Sequence, residues 1–409
     1  MVTRVTNTML QNTLLSNLSM NLNRMDKLQN QLSSGRKYGH ISDDPSALIY
    51  GQAARNKLAR LGHYQATVET AQSWLTQAEA GVMEINKVIG AVYEELVSAG
   101  SVKTDSDKQN LAKVVAQLRD HYVDTLNTSY GDRFVFGAYN TPGDFANTRN
   151  ADGVKPFSVD GDGNLRFNGL NVSQFDKMPS AHFDRIFKNV AVSGMSDDAA
   201  KQAMIDSLNA PPVMTFNPPP LTPITDEASF NEYYQDVLGF DFSLDDAVIF
   251  NKLFNDVLSL DVAPGVNMPI TMNGLDVVFY TAIDENPPYG PIIRNTFNVL
   301  TEIYEAINGT DVSDPAGTEV LTKMIKTAQD AQNHLLTRTA EIGGRQRRLE
   351  LLEARFAQDN LNYEKMRSDA EDADMAEVIM FLKMAETVYQ AALSAGARVI
   401  QPTLMDFLR

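Results

Sequence analysis

Residues 61–99 read LGHYQATVETAQSWLTQAEAGVMEINKVIGAVYEELVSA. Leu61, Val68, Leu75, Val82, Ile89 and Leu96 recur at intervals of seven. Three residues after each stand Tyr64, Ala71, Ala78, Ile85, Val92 and Ala99. This spacing lays an apolar stripe along one helix face and calls for partner helices. The same period returns far downstream at Leu321, Ala328, Leu335, Ile342, Leu349, Phe356 and Tyr363. A chain whose two flanks are long heptad helices is expected to be a mainly α rod of coiled-coil-like helices from both ends, with an inserted α+β central domain.

The outermost segments carry stripes of their own. Leu14, Leu18, Leu22, Met25, Leu28 and Leu32 recur at three or four, and residues 5–23 contain no charge. Near the other end Met375, Val378, Leu382, Ala385, Tyr389, Ala392, Gly396 and Val399 repeat the spacing. A solvated helix usually places Lys and Glu opposite its apolar face. An uncharged polar face suits a helix enclosed by other helices after assembly, where a buried charge would cost several kcal/mol and amides can pair. These residues are the candidate assembly interface, on terminal helices at 1–35 and 374–402.

Local signals bound the elements. Gly35 suits the left-handed position that closes the first helix. Asp44 is a candidate N-cap, with Pro45 at the first helical position. The Asp43–Asp44 pair is therefore read as capping, not as catalytic carboxylates. A long helix runs from there to about Ala99, with a possible break near Gly62. Ser106 and Gln109 have capping-box spacing for a third helix, whose buried face is Leu111, Val115, Leu118 and Tyr122 and whose end is placed at Gly131. Phe134-Val135-Phe136 reads as a short strand. The helices are expected to resume near Ile292 and pause at Asn308-Gly309. Asp314-Pro315 repeats the cap-plus-proline device, Gly343-Gly344 is a candidate bend, and the last helix ends by Pro402.

Composition separates the middle from the flanks. Of 17 prolines, 13 lie in 141–290, and most of the net charge of −17 falls there too. Residues 1–141 and 292–409 thus form one helical module, and 142–291 an acidic, proline-rich α+β outer domain. The acidic middle argues against nucleic acid as partner. Hairpins are expected at 157–167, around Asp160-Gly-Asp-Gly-Asn164, and at 270–277, where Asn273-Gly274 has tight-turn chemistry. Helices are expected near 197–208, 227–238 and 244–260.

Little in the chain points to chemistry. Asp160, Asp162 and Asn164 resemble the start of a calcium loop, but Leu165 replaces its glycine and Asn171 its closing glutamate. A hairpin turn is the better reading. His40, His63, His121, His182 and His334 are isolated from one another, and neither zinc spacing nor a phosphate loop occurs. Arg345, Arg347 and Arg348 read as a solvated helix face, and Trp74 as packing. There is no cysteine, so disulfide and thiol chemistry are excluded. No stretch reaches the roughly 20 apolar residues of a membrane span. Residues 1–20 lack the pattern of a signal peptide. No catalysis, cofactor or metal is expected, and no membrane contact.

Motifs near both ends of the chain resemble a known family. Leu32-Ser-Ser-Gly-Arg36 followed by Ile41-Ser-Asp-Asp-Pro-Ser-Ala-Leu48 is similar to the N-terminal signature of bacterial flagellins. Asp374-Met-Ala-Glu377 and Tyr389-Gln-Ala-Ala392 resemble the flagellin C-terminal helix. Arg133-Phe-Val-Phe-Gly-Ala-Tyr-Asn-Thr141 and Gln401-Pro-Thr-Leu-Met-Asp-Phe-Leu408 resemble members at the hook–filament junction more than filament subunits. The resemblance implies an extracellular structural subunit of the flagellum, exported by the type III route without a cleaved signal peptide. Its implied partners are copies of itself in a helical array, the other junction protein, flagellin, and a cytosolic export chaperone on the C-terminal helix. Filament flagellin is the alternative within the family, and an added adhesive role for 142–291 is a further one.

Overall fold

The computed structural model describes residues 7–40, 43–99, 105–131, 133–137, 155–190, 192, 195–209, 224–255, 257–283, 291–309 and 315–399. Long helices dominate: α1 (Asn7–Ser34), α2 (Pro45–Ala99), α3 (Asp105–Leu126), α9 (Thr296–Gly309), α10 (Pro315–Glu371) and α11 (Met375–Val399). Between α3 and α9, among the described residues, lie short helices and four small antiparallel sheets. The chain divides into two units, Met1–Gln65 with Glu353–Arg409, and Ala66–Leu352. Helices α2 and α10 contribute residues to both.

In the second unit the heptad side chains are core. Val68, Leu75, Val82, Ile89 and Leu96 of α2 are buried, as are Ala328, Leu335, Ile342 and Leu349 of α10. Gln346 donates to Glu79 at 2.9 Å and Gln329 to the Tyr93 hydroxyl at 3.2 Å, which registers the two helices. Neither Gly62 nor Gly343-Gly344 breaks its helix. Tertiary packing on both sides outweighs the roughly 1 kcal/mol that a glycine costs a helix. Trp74 is buried edge-on to Tyr130, at 5.9 Å between centroids, as packing.

The third helix departs from expectation at both ends. Asp105 is already helical, so Ser106 lies inside the first turn and is not the cap. The helix stops at Leu126, and Gly131, at φ +59°, serves the turn between β1 (Ser129–Tyr130) and β2 (Arg133–Phe134). Ile292 is also not helical. It lies in β9 (Pro291–Asn295), which pairs with β8 (Phe279–Ile283) in front of α9.

The central stretch closes around aromatic rings. Strands β3 (Phe157–Val159) and β4 (Leu165–Phe167) form the expected hairpin, continued by β5 (Leu170–Asn171). Asp160 organises its turn by accepting from the N–H groups of Asp162 and Asn164, with Gly163 at φ +84°. Short helices α4 (Ser180–Phe183), α5 (Asp197–Asn209), α6 (Glu227–Asn231) and α7 (Leu244–Phe254) follow. Segments 184–188 and 232–237 continue α4 and α6 with π-type turns. Phe175, Phe183, Phe187, Phe242 and Phe250 form one buried ring cluster, with centroids 4.4 Å apart at the closest.

Two expectations fail here. Helix α7 ends at Phe254 rather than near 260, and β6 (Ser259–Ala263) pairs with β7 (Val266–Pro269). The Asn273-Gly274 pair makes no hairpin turn. Asn273 caps α8 (Gly274–Val278) through the Leu275 N–H and donates to the Phe254 carbonyl at 3.0 Å. Gly274 is required by space: a Cβ there would lie 2.5 Å from the Phe157 ring and 2.7 Å from the Phe136 carbonyl oxygen. Asn-Gly is thus used for a cap and a close approach, not for positive φ.

Burial leaves two histidines neutral. His182 faces the Tyr234 hydroxyl at 3.2 Å, and burial, reinforced by Arg185, lowers it to about 4. His334 meets the Asp276 carbonyl at 2.7 Å, and burial first, then Arg338, lowers it to about 4. Among the described residues no helix is long and apolar enough to cross a membrane, and no His, Asp and Glu cluster is arranged to hold a metal.

A candidate assembly surface on the terminal helices

The first unit is built on a helix pair. Helix α1 is closed by Gly35, whose φ is +70° and whose N–H reaches the Gln31 carbonyl at 2.8 Å. Asp44 opens α2: its Oδ1 accepts from the N–H groups of Ser46 at 3.1 Å and Ala47 at 2.9 Å, with Pro45 at the first helical position. Asp43 instead holds the loop, accepting from the Gly39 and His40 N–H groups and pairing with Lys27 at 3.1 Å. The His40 N–H, then Lys27 and the Gly39 N–H, lower its pKa to about 2. Both carboxylates are therefore structural.

A contact set that spacing did not signal ties this loop to the start of α11. Ala373 N–H donates to the Gly35 carbonyl at 2.9 Å, and Lys37 N–H to the Glu371 carbonyl at 2.7 Å. The Glu371 side chain is buried and pairs with Arg55 at 2.5 Å. A Cβ on Gly51 would lie 2.6 Å from Glu371 Oε1 and 2.8 Å from the Tyr38 hydroxyl, so this glycine makes room for both. Asp374 then caps α11 through the Ala376 N–H at 2.9 Å and the Glu377 N–H at 3.2 Å. The sequence hint was present in Asp374 itself, a good N-cap residue immediately before the apolar repeat that starts at Met375. The Arg55–Glu371 pair, 316 positions apart, has no local signature.

So anchored, α1 and α11 pack against each other. Leu28, Val378, Leu382 and Ala385 form the buried seam, with Met25, Leu32, Ala373 and Phe381 against it. Leu14 packs on Gly396, where a Cβ would come within 2.7 Å of its Cδ2. Leu14, Leu18, Tyr389 and Ala392 are half-buried. Leu22 and Met375, assigned to the candidate interface by spacing, lie outside the buried seam, at 46% and 42% exposed. The Val399 side chain lies outside the described residues.

The seam uses only part of the apolar surface. Met9, Leu10, Leu15, Met20 and Leu22 of α1 remain exposed, as do Ile379, Met380, Met384, Val388 and Leu393 of α11. Met380, Met384 and Val388 are spaced by four, on one face. Met9 and Met20 are three turns apart and likewise share a face. Isolated exposed apolar side chains are ordinary, but rows of them on a helix mark an interaction surface.

Comparison with known proteins falls on this region. Residues 5–141 match the bacterial flagellin N-terminal helical region. The matched residues contain α1, α2 and α3. The chain is 26% identical over 117 residues to flagellar hook-associated protein 3 of Salmonella typhimurium, covering 28% of this chain and 37% of that protein. It is 28% identical over 120 residues to the flagellar filament 30.7 kDa core protein of Treponema maltophilum, covering 27% and 42%. The chain thus spans about two fifths of the length of these relatives. Among solved structures, a putative flagellar hook-associated protein from Vibrio parahaemolyticus superposes with a TM-score of 0.49 at 14% identity, over 81% of this chain and all of that one. Flagellar hook-associated protein 3 from Legionella pneumophila gives a TM-score of 0.46 at 10% identity, over 78% and 97%.

Proposed function

We propose that this protein is a structural, non-enzymatic subunit of the bacterial flagellum at the hook–filament junction, polymerising through α1 and α11. The observation that carries this reading is the helix pair that mates one apolar seam and leaves further apolar rows exposed on both members. The uncharged stretch 5–23 supports it, as does the flagellin-type N-terminal region. Resemblance to hook-associated protein 3 at Arg133–Thr141 and Gln401–Leu408 favours the junction over the filament. In this reading 142–291 is the outer domain. The partners are copies of this chain, the other junction protein and flagellin, with an export chaperone holding α11 before secretion.

The mechanism is assembly coupled to ordering. A helix pair with few fully buried side chains gains little against its conformational entropy, so it opens readily in a free chain. Neighbouring subunits cover the exposed rows, and each large apolar side chain so buried contributes roughly 1.5–3 kcal/mol. Contacts between different faces do not close on themselves and therefore build a helical array.

Amide exchange tests this. Residues 7–34 and 375–399 should exchange quickly in the free chain and slowly after polymerisation. Strong protection in the dilute monomer would refute coupled ordering. Labelling the protein in intact flagella should mark only the filament base, and label along the whole filament would identify a filament subunit instead.

A further inference from the structure

We infer that the outward methionines of α1 and α11 are oxidation sites through which peroxide-class oxidants block incorporation of the free chain, an inference that rests on the assembly reading above. The chain has 17 methionines and no cysteine, so methionine is its only oxidisable sulfur. Their exposure varies along the chain, and Met83, Met195 and Met366, away from the terminal helices, are 41–48% exposed. Met178, Met204, Met268 and Met272, all in the second unit, are at most 2% exposed. On the terminal helices Met9, Met20, Met375, Met380 and Met384 are 42–62% exposed. The buried seam between the helices is made by Leu28, Val378, Leu382 and Ala385, with Met25 packed against it, and the outward rows carry the five exposed thioethers.

The chemistry is oxygen transfer. A thioether sulfur attacks the peroxide, an S–O bond forms as the O–O bond breaks, and water leaves. Sulfur loses two electrons and the peroxide gains them. The product turns a flexible apolar side chain into a polar one, which disrupts methionine-rich interfaces and is reversed by methionine sulfoxide reductases. On the exposed rows the change costs the monomer little, because the sulfoxide stays hydrated. In an assembled array the same group would be buried without a partner. One modification thus leaves the fold intact and removes the interface.

The test uses the purified full chain. Polymerisation in sulfate, which strengthens apolar burial, is followed by sedimentation before and after hydrogen peroxide, and peptide mass mapping locates the oxygen. The five terminal-helix sites should oxidise while Met178, Met204, Met268 and Met272 stay reduced. Polymerisation should fall at least tenfold and return after treatment with a methionine sulfoxide reductase. A chain with Met9→Leu, Met20→Leu, Met375→Leu, Met380→Leu and Met384→Leu is compared with its own untreated sample and should polymerise equally before and after peroxide, even with Met83, Met195 and Met366 oxidised. Full conversion of the five sites with undiminished polymerisation would overturn the inference, as would an equal loss in the leucine chain. If that chain does not polymerise, reductase recovery of the unsubstituted one decides. Failure of the untreated natural sequence to polymerise would instead remove the assembly reading, and this inference with it.

Discussion

The ring cluster of the central stretch and the α1–α11 pair are both rich in large apolar side chains, yet they use them in opposite ways. Phe175, Phe183, Phe187 and Phe250 are at most 1% exposed and meet one another from several short elements. Met9, Leu15, Met380 and Met384 are more than half exposed and have helical neighbours on one side only. A core reached from many directions can be completed by one chain. Two helices side by side cannot enclose their own flanks, so part of their apolar surface stays exposed. Independence belongs to the first region, and in the proposed reading assembly belongs to the second.

Breaking the ring cluster should give the largest effect. Phe250→Ala removes a side chain that touches Phe175, Phe183, Phe187, Phe254 and Phe279. A loss of about 3–5 kcal/mol is expected in denaturant unfolding, with amide exchange in α1 and α11 unchanged. Parallel loss of protection in α1 and α11 would show that the regions are not separable.

The converse substitution is Leu382→Asp, which places a charge in the seam beside Leu28. Destabilisation of the pair by about 3 kcal/mol is expected, with polymerisation abolished and the near-ultraviolet spectrum of the aromatic cluster preserved. Normal polymerisation would contradict the assembly surface.

Acid should separate the regions without mutation. His182 and His334 have folded pKa values depressed to about 4, so between roughly pH 6.5 and 4 the unfolded chain binds protons that the folded one does not. Stability therefore falls with pH in that window, by about 1.4 kcal/mol per pH unit for each fully protected histidine. Melting followed by aromatic fluorescence should drop between pH 7 and 5. The His182→Gln, His334→Gln double variant should flatten that slope. The Asp43 loop of the first unit should hold until much lower pH, since its carboxylate has a depressed value near 2. Its contribution is present above about pH 4 and is lost only as pH falls through 2.

Gly35→Ala is the smallest perturbation. Nothing lies within 4 Å of the added methyl, so the cost is that of a left-handed backbone at φ +70°, about 1 kcal/mol. It should loosen the α1 terminus and weaken polymerisation modestly. A neutral result would mean that the loop can re-form without this turn.

The heptads of α2 and α10 and the Gly35 and Asp44 caps were legible because period and capping are local properties of a helix. The fate of Asn273-Gly274 was not, because the same dipeptide serves a hairpin turn or a cap beside a crowded ring. Which use holds depends on Phe157 and Phe136 arriving from elsewhere in the chain. Ser106 shows the same limit: capping-box spacing was present, but the helix starts ahead of it.

Sequence by itself determined that both flanks are long amphipathic helices and that the ends carry apolar stripes with few charges, since periodicity and composition need no partner to be read. Tertiary structure decided which rows are mated and which stay open, where Glu371 finds Arg55, and that Leu22 and Met375 face outward. A helical repeat defines a direction around one axis. Only the placement of a second helix, set here by contacts across more than three hundred residues, selects the part of that circumference that is buried.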